Sequence, residues 1–148
     1  MKKILLFFTL LILSGNAIAQ IYDPVKWTYS VKRLSRVEAI VYFTATIQPQ
    51  WHIYSQKVVK DGPLATSFKF LPSSTYQLSG KALEPKSISK YEKVFSSNVN
   101  YFEKAVTFQQ NIKLISSTPV VKGTLEYMAC TDSKCLPAVE VDFAIAVK

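Results

Sequence analysis

Cys130 and Cys135 are the two cysteines of the sequence. They lie in Tyr127-Met128-Ala129-Cys130-Thr131-Asp132-Ser133-Lys134-Cys135-Leu136-Pro137, after one alternating apolar run and before the last one. Four intervening residues let the chain turn back so that the Cα atoms approach within the roughly 4.4–6.8 Å that a disulfide requires. An even cysteine count suits an exported chain that forms such a bond, and no third cysteine competes for it. Closing a ring this small restricts the unfolded chain by only about 2 kcal/mol, against nearly 5 kcal/mol for a loop of a hundred residues. A weak staple makes redox duty attractive, although a purely local loop staple remains open. A metal site is the third reading, and it is short of donors. Two thiolates and a distant His52 fall below the usual four ligands of a structural zinc.

Reactivity at such a pair follows the supply of thiolate. Lys134 beside Cys135 favours the anion there and Asp132 opposes it, so either sulfur could attack first, with a lean toward Cys135. His52 and Tyr54 fall in Trp51-His52-Ile53-Tyr54. Alternation puts these two on one face, with Trp51 and Ile53 on the other. Either the first pair decorates the surface over a core filled by the second, or it belongs to a site. No Ser/His/Asp order and no paired-carboxylate signal is present. With Gly 4 in the whole chain, a phosphate-cradling loop is excluded.

The elements that would position these residues have period two. Trp27, Tyr29 and Val31 alternate with polar residues, and Ala39, Val41, Phe43, Ala45 and Ile47 share one face of the next run. Phe68 and Phe70 flank Lys69, while Val106, Phe108, Ile112 and Leu114 form another stripe. Val139, Val141, Phe143, Ile145 and Val147 form the last. Such alternation marks strands with one buried face. Turn signals separate the runs at Leu34-Ser35-Arg36, Gln48-Pro49-Gln50, Asp61-Gly62-Pro63, Pro72-Ser73-Ser74 and Ser116 to Pro119. Seven or more short strands without an amphipathic helix predict an all-β, antiparallel sandwich, with a barrel as runner-up. Ser87 to Tyr101 is the least strand-like stretch, and it reads as a loop: a functional lid or a plain surface loop with a helical turn.

The 148 residues suffice for one domain. Lys2 and Lys3, the apolar run Ile4 to Leu13 broken only by Thr9, and Ala17-Ile18-Ala19 form a secretory signal over residues 1–19, cut before Gln20. Its apolar run is too short for the roughly 20 residues of a membrane span. Residues 20–148 then form a mature domain expected in the periplasm, without membrane insertion. The chain is basic, formally +8, and the signal removes two lysines but no acid. Its lysines are scattered, so no nucleic-acid partner is expected, and the charge serves solubility with a bias toward acidic partners.

The segment Glu126 to Pro137 resembles the cysteine motif in the N-terminal periplasmic domain of the thiol:disulfide interchange protein DsbD, the disulfide bond corrector family. Pro24-Val25-Lys26-Trp27, Trp51-His52-Ile53-Tyr54-Ser55, Thr66-Ser67-Phe68-Lys69-Phe70 and the strand from Val139 to Val147 carry the similarity across most of the mature chain. Their style is similar to stand-alone versions from Bacteroidetes-type bacteria. The resemblance implies an immunoglobulin-like sandwich with Cys130 and Cys135 as a redox pair at one end, needing no cofactor. It implies electrons arriving from a thioredoxin-like domain or a membrane electron-transfer protein, and leaving to envelope oxidoreductases or to cytochrome c biogenesis. His52 and Tyr54 match positions where the family places aromatic side chains near the disulfide, and Asp132 and Lys134 flank it. Ser89 to Asn98 would be the family's cap loop, with Tyr91 or Phe95 as the shielding ring. Four residues separate the cysteines here, whereas enterobacterial members have five. Full-length members continue into a membrane domain and a thioredoxin domain, so this chain, expected to be a monomer, would depend on separate proteins for electrons.

Overall fold

A computed structural model of the protein describes residues 22–57, 59–93 and 95–148. The expected signal segment lies outside them. Among the described residues there is no helix, and hence none long and apolar enough to cross a membrane. The strands are β1 (Val25–Arg33), β2 (Glu38–Ile47), β3 (His52–Tyr54), β4 (Ser67–Phe70), β5 (Tyr76–Leu78), β6 (Ile88–Glu92), β7 (Ser97–Glu103), β8 (Ala105–Leu114), β9 (Val120–Tyr127), β10 (Ala129–Cys130) and β11 (Val139–Ala146). All pairings are antiparallel, in the orders β1-β2-β8-β5, β11-β9-β4 and β10-β3-β7-β6.

The first two sheets face each other across a core of the alternating stripes. Phe43 is 0% exposed and lies 4.9 Å, centroid to centroid, from both Phe68 on β4 and Phe143 on β11. Trp27 on β1 meets Tyr127 on β9 at 5.6 Å, and Phe108 meets Phe68 at 5.2 Å. Rings at these separations add to area burial through edge-to-face attraction. The result is an immunoglobulin-like antiparallel β-sandwich.

The third sheet is an extension of the sandwich at one end. Thr46 pairs with Ala105 and His52 with Glu103, so five residues on one strand face Lys104 alone on the other. The Ile47 amide donates to the Lys104 carbonyl at 2.7 Å. Gln50 and Lys104 take left-handed φ angles of 70° and 63°. This bulge turns the β2/β8 pair into the β3/β7 pair, as extra residues in one strand do. On the other side, β9 leaves β11 after Tyr127 and continues as β10 against β3.

Residues 87–101 differ from the loop expected there. Ile88 to Glu103 is a hairpin of β6 and β7, closed by the Ser96 amide on the Lys93 carbonyl at 3.2 Å. Its inner face carries Lys90 and Glu92 opposite Val99 and Ser97. Charged residues at buried-side positions hide the period, and the turn at Lys93 to Ser96 contains no glycine or proline.

Gly123 sits opposite both Phe143 and Phe70, in the middle of β9. A Cβ there would collide with the Lys69 carbonyl and approach the Phe143 ring to 2.6 Å. Gly123→Ala is therefore expected to destabilise the domain by about 1–3 kcal/mol through overpacking. The urea midpoint should fall at unchanged slope, and a midpoint at or above wild type would show that β4 and β11 give way freely.

Candidate functional site

The small sheet brings the two sulfurs together. Cys130 and Cys135 are bonded, with Cα atoms 4.0 Å apart. That is closer than the expected range, and the register explains it. The Thr131 amide donates to the Lys134 carbonyl at 2.7 Å and the Leu136 amide to the Ala129 carbonyl at 2.9 Å. Cys130 and Cys135 thus occupy a non-hydrogen-bonded antiparallel pair, where opposing Cα atoms are closest. Between them, the Thr131 hydroxyl accepts from the amides of Ser133 and Lys134 at 3.3 and 3.2 Å, which fixes the turn.

The two cysteines are not equivalent. Cys130 is 1% exposed and packs with Tyr54, Val99, Tyr101, Phe95 and Met128, a cluster separate from the main core. Cys135 is exposed. It borders a groove of about 390 Å³ whose walls include Lys90, Tyr91, Glu92 and Phe95 on the β6–β7 hairpin. Of the two candidate cap rings, Phe95 joins the cluster, edge-on to Tyr54 at 6.3 Å. Tyr91 is 58% exposed and stands outside it.

His52 and Tyr54 are not surface decoration. Trp51 and Ile53 do fill the sandwich core, but the opposite face of β3 is also covered, leaving His52 4% and Tyr54 2% exposed. His52 is the cross-strand partner of Cys130. The Tyr54 hydroxyl donates to Glu92 Oε2 at 3.2 Å and lies 3.3 Å from His52 Nε2. A hydroxyl has one proton; with it spent on Glu92, the oxygen accepts from an Nε2–H. Glu92 Oε1 is 3.6 Å from the same nitrogen. Burial is the main force holding the imidazole below its ordinary value, partly offset by the Glu92 charge. Burial and then Glu92 push the Tyr54 phenol upward.

Asp132 and Lys134 border the groove at Cys135 and each makes a further contact of its own. Asp132 takes a 2.6 Å contact from Lys90 Nζ, which lowers the carboxyl and raises the amine. Lys134 Nζ stands 5.5 Å from the Trp51 ring centroid, a cation–π contact on the far side of the turn. Glu92, Lys90 and Tyr101 were missed by sequence reasoning. The signal that would find them is the alternation Ile88/Lys90/Glu92 against Tyr101/Val99/Ser97. No group of three or more potential metal ligands occurs among the described residues.

Residues 23–146 match the model of the family described as "Thiol:disulfide interchange protein DsbD, N-terminal". The chain belongs to that family. The family and the Cys130–Cys135 bond together support thiol–disulfide exchange as the chemistry of this end. Among solved structures, the N-terminal periplasmic domain of ScsB from Proteus mirabilis is similar, with a TM-score of 0.60 at 15% identity. The alignment covers 85% of this chain and 47% of that one, so the DsbD-like chain spans about half its length. The complex between the DsbD N-terminal and PilB N-terminal domains from Neisseria meningitidis gives 0.53 at 15% identity, covering 84% and 87%. These likenesses concern the fold. No curated protein matches the sequence.

A base whose value is lowered by folding is protonated more readily in the unfolded chain. Between its folded value and the ordinary 6.5, stability therefore rises with pH and is fully present above 6.5. The oxidised protein should lose urea resistance as pH falls from about 7.5 to 5.5. The loss should be smaller in His52→Gln, and equal losses would count against a buried neutral imidazole.

Proposed function

We propose that the domain is a periplasmic thiol–disulfide carrier. The observation that carries this reading is the asymmetry of one bond: Cys135 Sγ sits at the lip of a groove, and Cys130 Sγ is enclosed. An incoming thiolate can approach only the exposed atom in line. It attacks Cys135, the Cys130–Cys135 bond breaks, and its electron pair goes to Cys130. A second thiol of the donor then attacks the mixed disulfide, leaving the donor oxidised and both cysteines reduced. Delivery reverses the sequence, with Cys135 attacking the disulfide of a recipient and Cys130 resolving it.

The donor in this reading is a thioredoxin-like domain, fed by a membrane electron-transfer protein. The recipients are envelope oxidoreductases, including those of cytochrome c biogenesis. A similar fold in complex with another protein's N-terminal domain supports direct domain-to-domain docking. The secretory signal supports the periplasm, and no cofactor takes part. The β6–β7 hairpin acts as the cap, with Phe95 as the ring that shields the cluster beneath it.

In Cys130→Ala, the remaining Cys135 should trap partners as mixed disulfides in the envelope, whereas Cys135→Ala should trap few. Equilibration with glutathione should give a potential above the roughly −300 mV typical of structural bridges. A bond resistant to that buffer, or equal trapping by both variants, would overturn the carrier reading. Phe95→Ala should speed reduction by dithiothreitol several-fold and Tyr91→Ala should not; identical rates in both would remove Phe95 as the cap.

A further inference from the structure

Exchange through Cys135 leaves a charge problem at the other sulfur. When the bond breaks, the electron pair arrives on Cys130 Sγ, 1% exposed among Val99, Tyr101, Phe95 and Met128. A thiolate enclosed by apolar groups is disfavoured, and a poorly stabilised thiolate is a slow leaving group. Three polar side chains with no part in the exchange so far gather at this end: His52 opposite Cys130 on the neighbouring strand, Tyr54 in the same cluster, and Glu92 against both of them.

Their burial calls for an explanation. Enclosing an imidazole and a carboxylate is costly even when they are paired, and an apolar trio would fill the same space. His52 lies directly across the β3–β10 ladder from Cys130. Opposing side chains on one face have Cβ atoms about 4.5–5.5 Å apart, within reach of an imidazole. The same residue also borders an open groove of about 630 Å³ on the other side of the Thr131 to Lys134 turn. His52 thus neighbours the residue of the enclosed sulfur and an open groove as well. Nε2–H is committed to Tyr54, which leaves Nδ1 as the nitrogen able to bind and release a proton.

We propose that His52 is the proton donor and acceptor for Cys130, held in place by Tyr54 and Glu92. This rests on the exchange reading and deepens it. During reduction, imidazolium at His52 passes its proton to the departing Cys130 sulfur and becomes neutral. The donor's second thiol loses its proton as it attacks the mixed disulfide and Cys135 leaves with one, while the proton that the donor's first thiol shed to water restores the imidazolium. The count closes: a dithiol becomes a disulfide, and two electrons and two protons enter the cysteine pair. During delivery, neutral His52 takes the Cys130 proton as that sulfur resolves the mixed disulfide. Glu92 from β6, Glu103 from β7 and Asp132 from the turn favour the imidazolium, and Lys90 from β6 opposes it. Tyr54 and Tyr101 are the phenols against the ring, at 5.3 and 5.0 Å between centroids. Burial lowers the imidazole, so the imidazolium that donates is populated toward the acid end and the neutral base above it.

His52 is the single histidine in the sequence, so its ring signals are read by NMR in the unaltered protein. Titrated in the oxidised and the dithiothreitol-reduced protein, the ring should shift its midpoint between the two forms, because only the reduced form sets an ionisable thiol opposite it. Equal titration in both forms would overturn the proposal. The rate of reduction by dithiothreitol, corrected for its thiolate fraction, should fall as pH rises between about 5 and 8. His52→Gln should flatten that profile and slow the reaction at least about tenfold at the acid end. A corrected rate and profile matching wild type would remove this inference alone. A wild-type disulfide that resists dithiothreitol at every pH would remove the exchange reading and this one with it.

Discussion

Between Trp51 and Ser55 the backbone has no wet side. Trp51 and Ile53 project into the sandwich core, while His52 and Tyr54 project into the cluster at Cys130. Both edges of β3 are paired as well, by β10 and β7. Three residues of strand thereby join the hydrophobic interior to the chemistry. A one-residue slip would send the imidazole into the aromatic core and set an indole beside the sulfur, since successive side chains alternate. The bulge of residues 47–51 against Lys104 sets that register, because it fixes which residue of β7 meets His52.

The same end of the molecule separates its charges by depth. Lys90 and Asp132 pair in water, where an ion pair contributes little to stability. Their contact links the hairpin to the cysteine turn more than it strengthens the fold. Glu92, two residues further along the same strand face, is drawn inward to Tyr54 and His52. One face of β6 thus supplies a surface tether and a buried acceptor. This follows from the strand's position at the edge of the small sheet, half over the cluster and half in solvent.

Much of this was legible beforehand. The stripes on β1, β2, β4, β8 and β11 are apolar on one face and polar on the other, which is why their strand character and the sandwich followed directly. The cysteine pair was legible because its residue type is scarce and its spacing short. The β6–β7 hairpin was not, since its inward positions hold Lys90 and Glu92 where a strand pattern asks for apolar residues. Polar residues turned inward at a site break the very alternation that reveals strands. The burial of His52 was hidden for the same reason: its covering strand, β10, is two residues long, too short to leave a pattern.

The turn from Thr131 to Lys134 is closed by its own hydrogen bonds. These hydrogen bonds hold the turn independently of the sulfur bridge. In the proposed carrier, a single reachable sulfur would make a donor and a recipient exclude each other from the same groove. Traffic through the proposed carrier would then be ping-pong: each visitor must leave before the next is served.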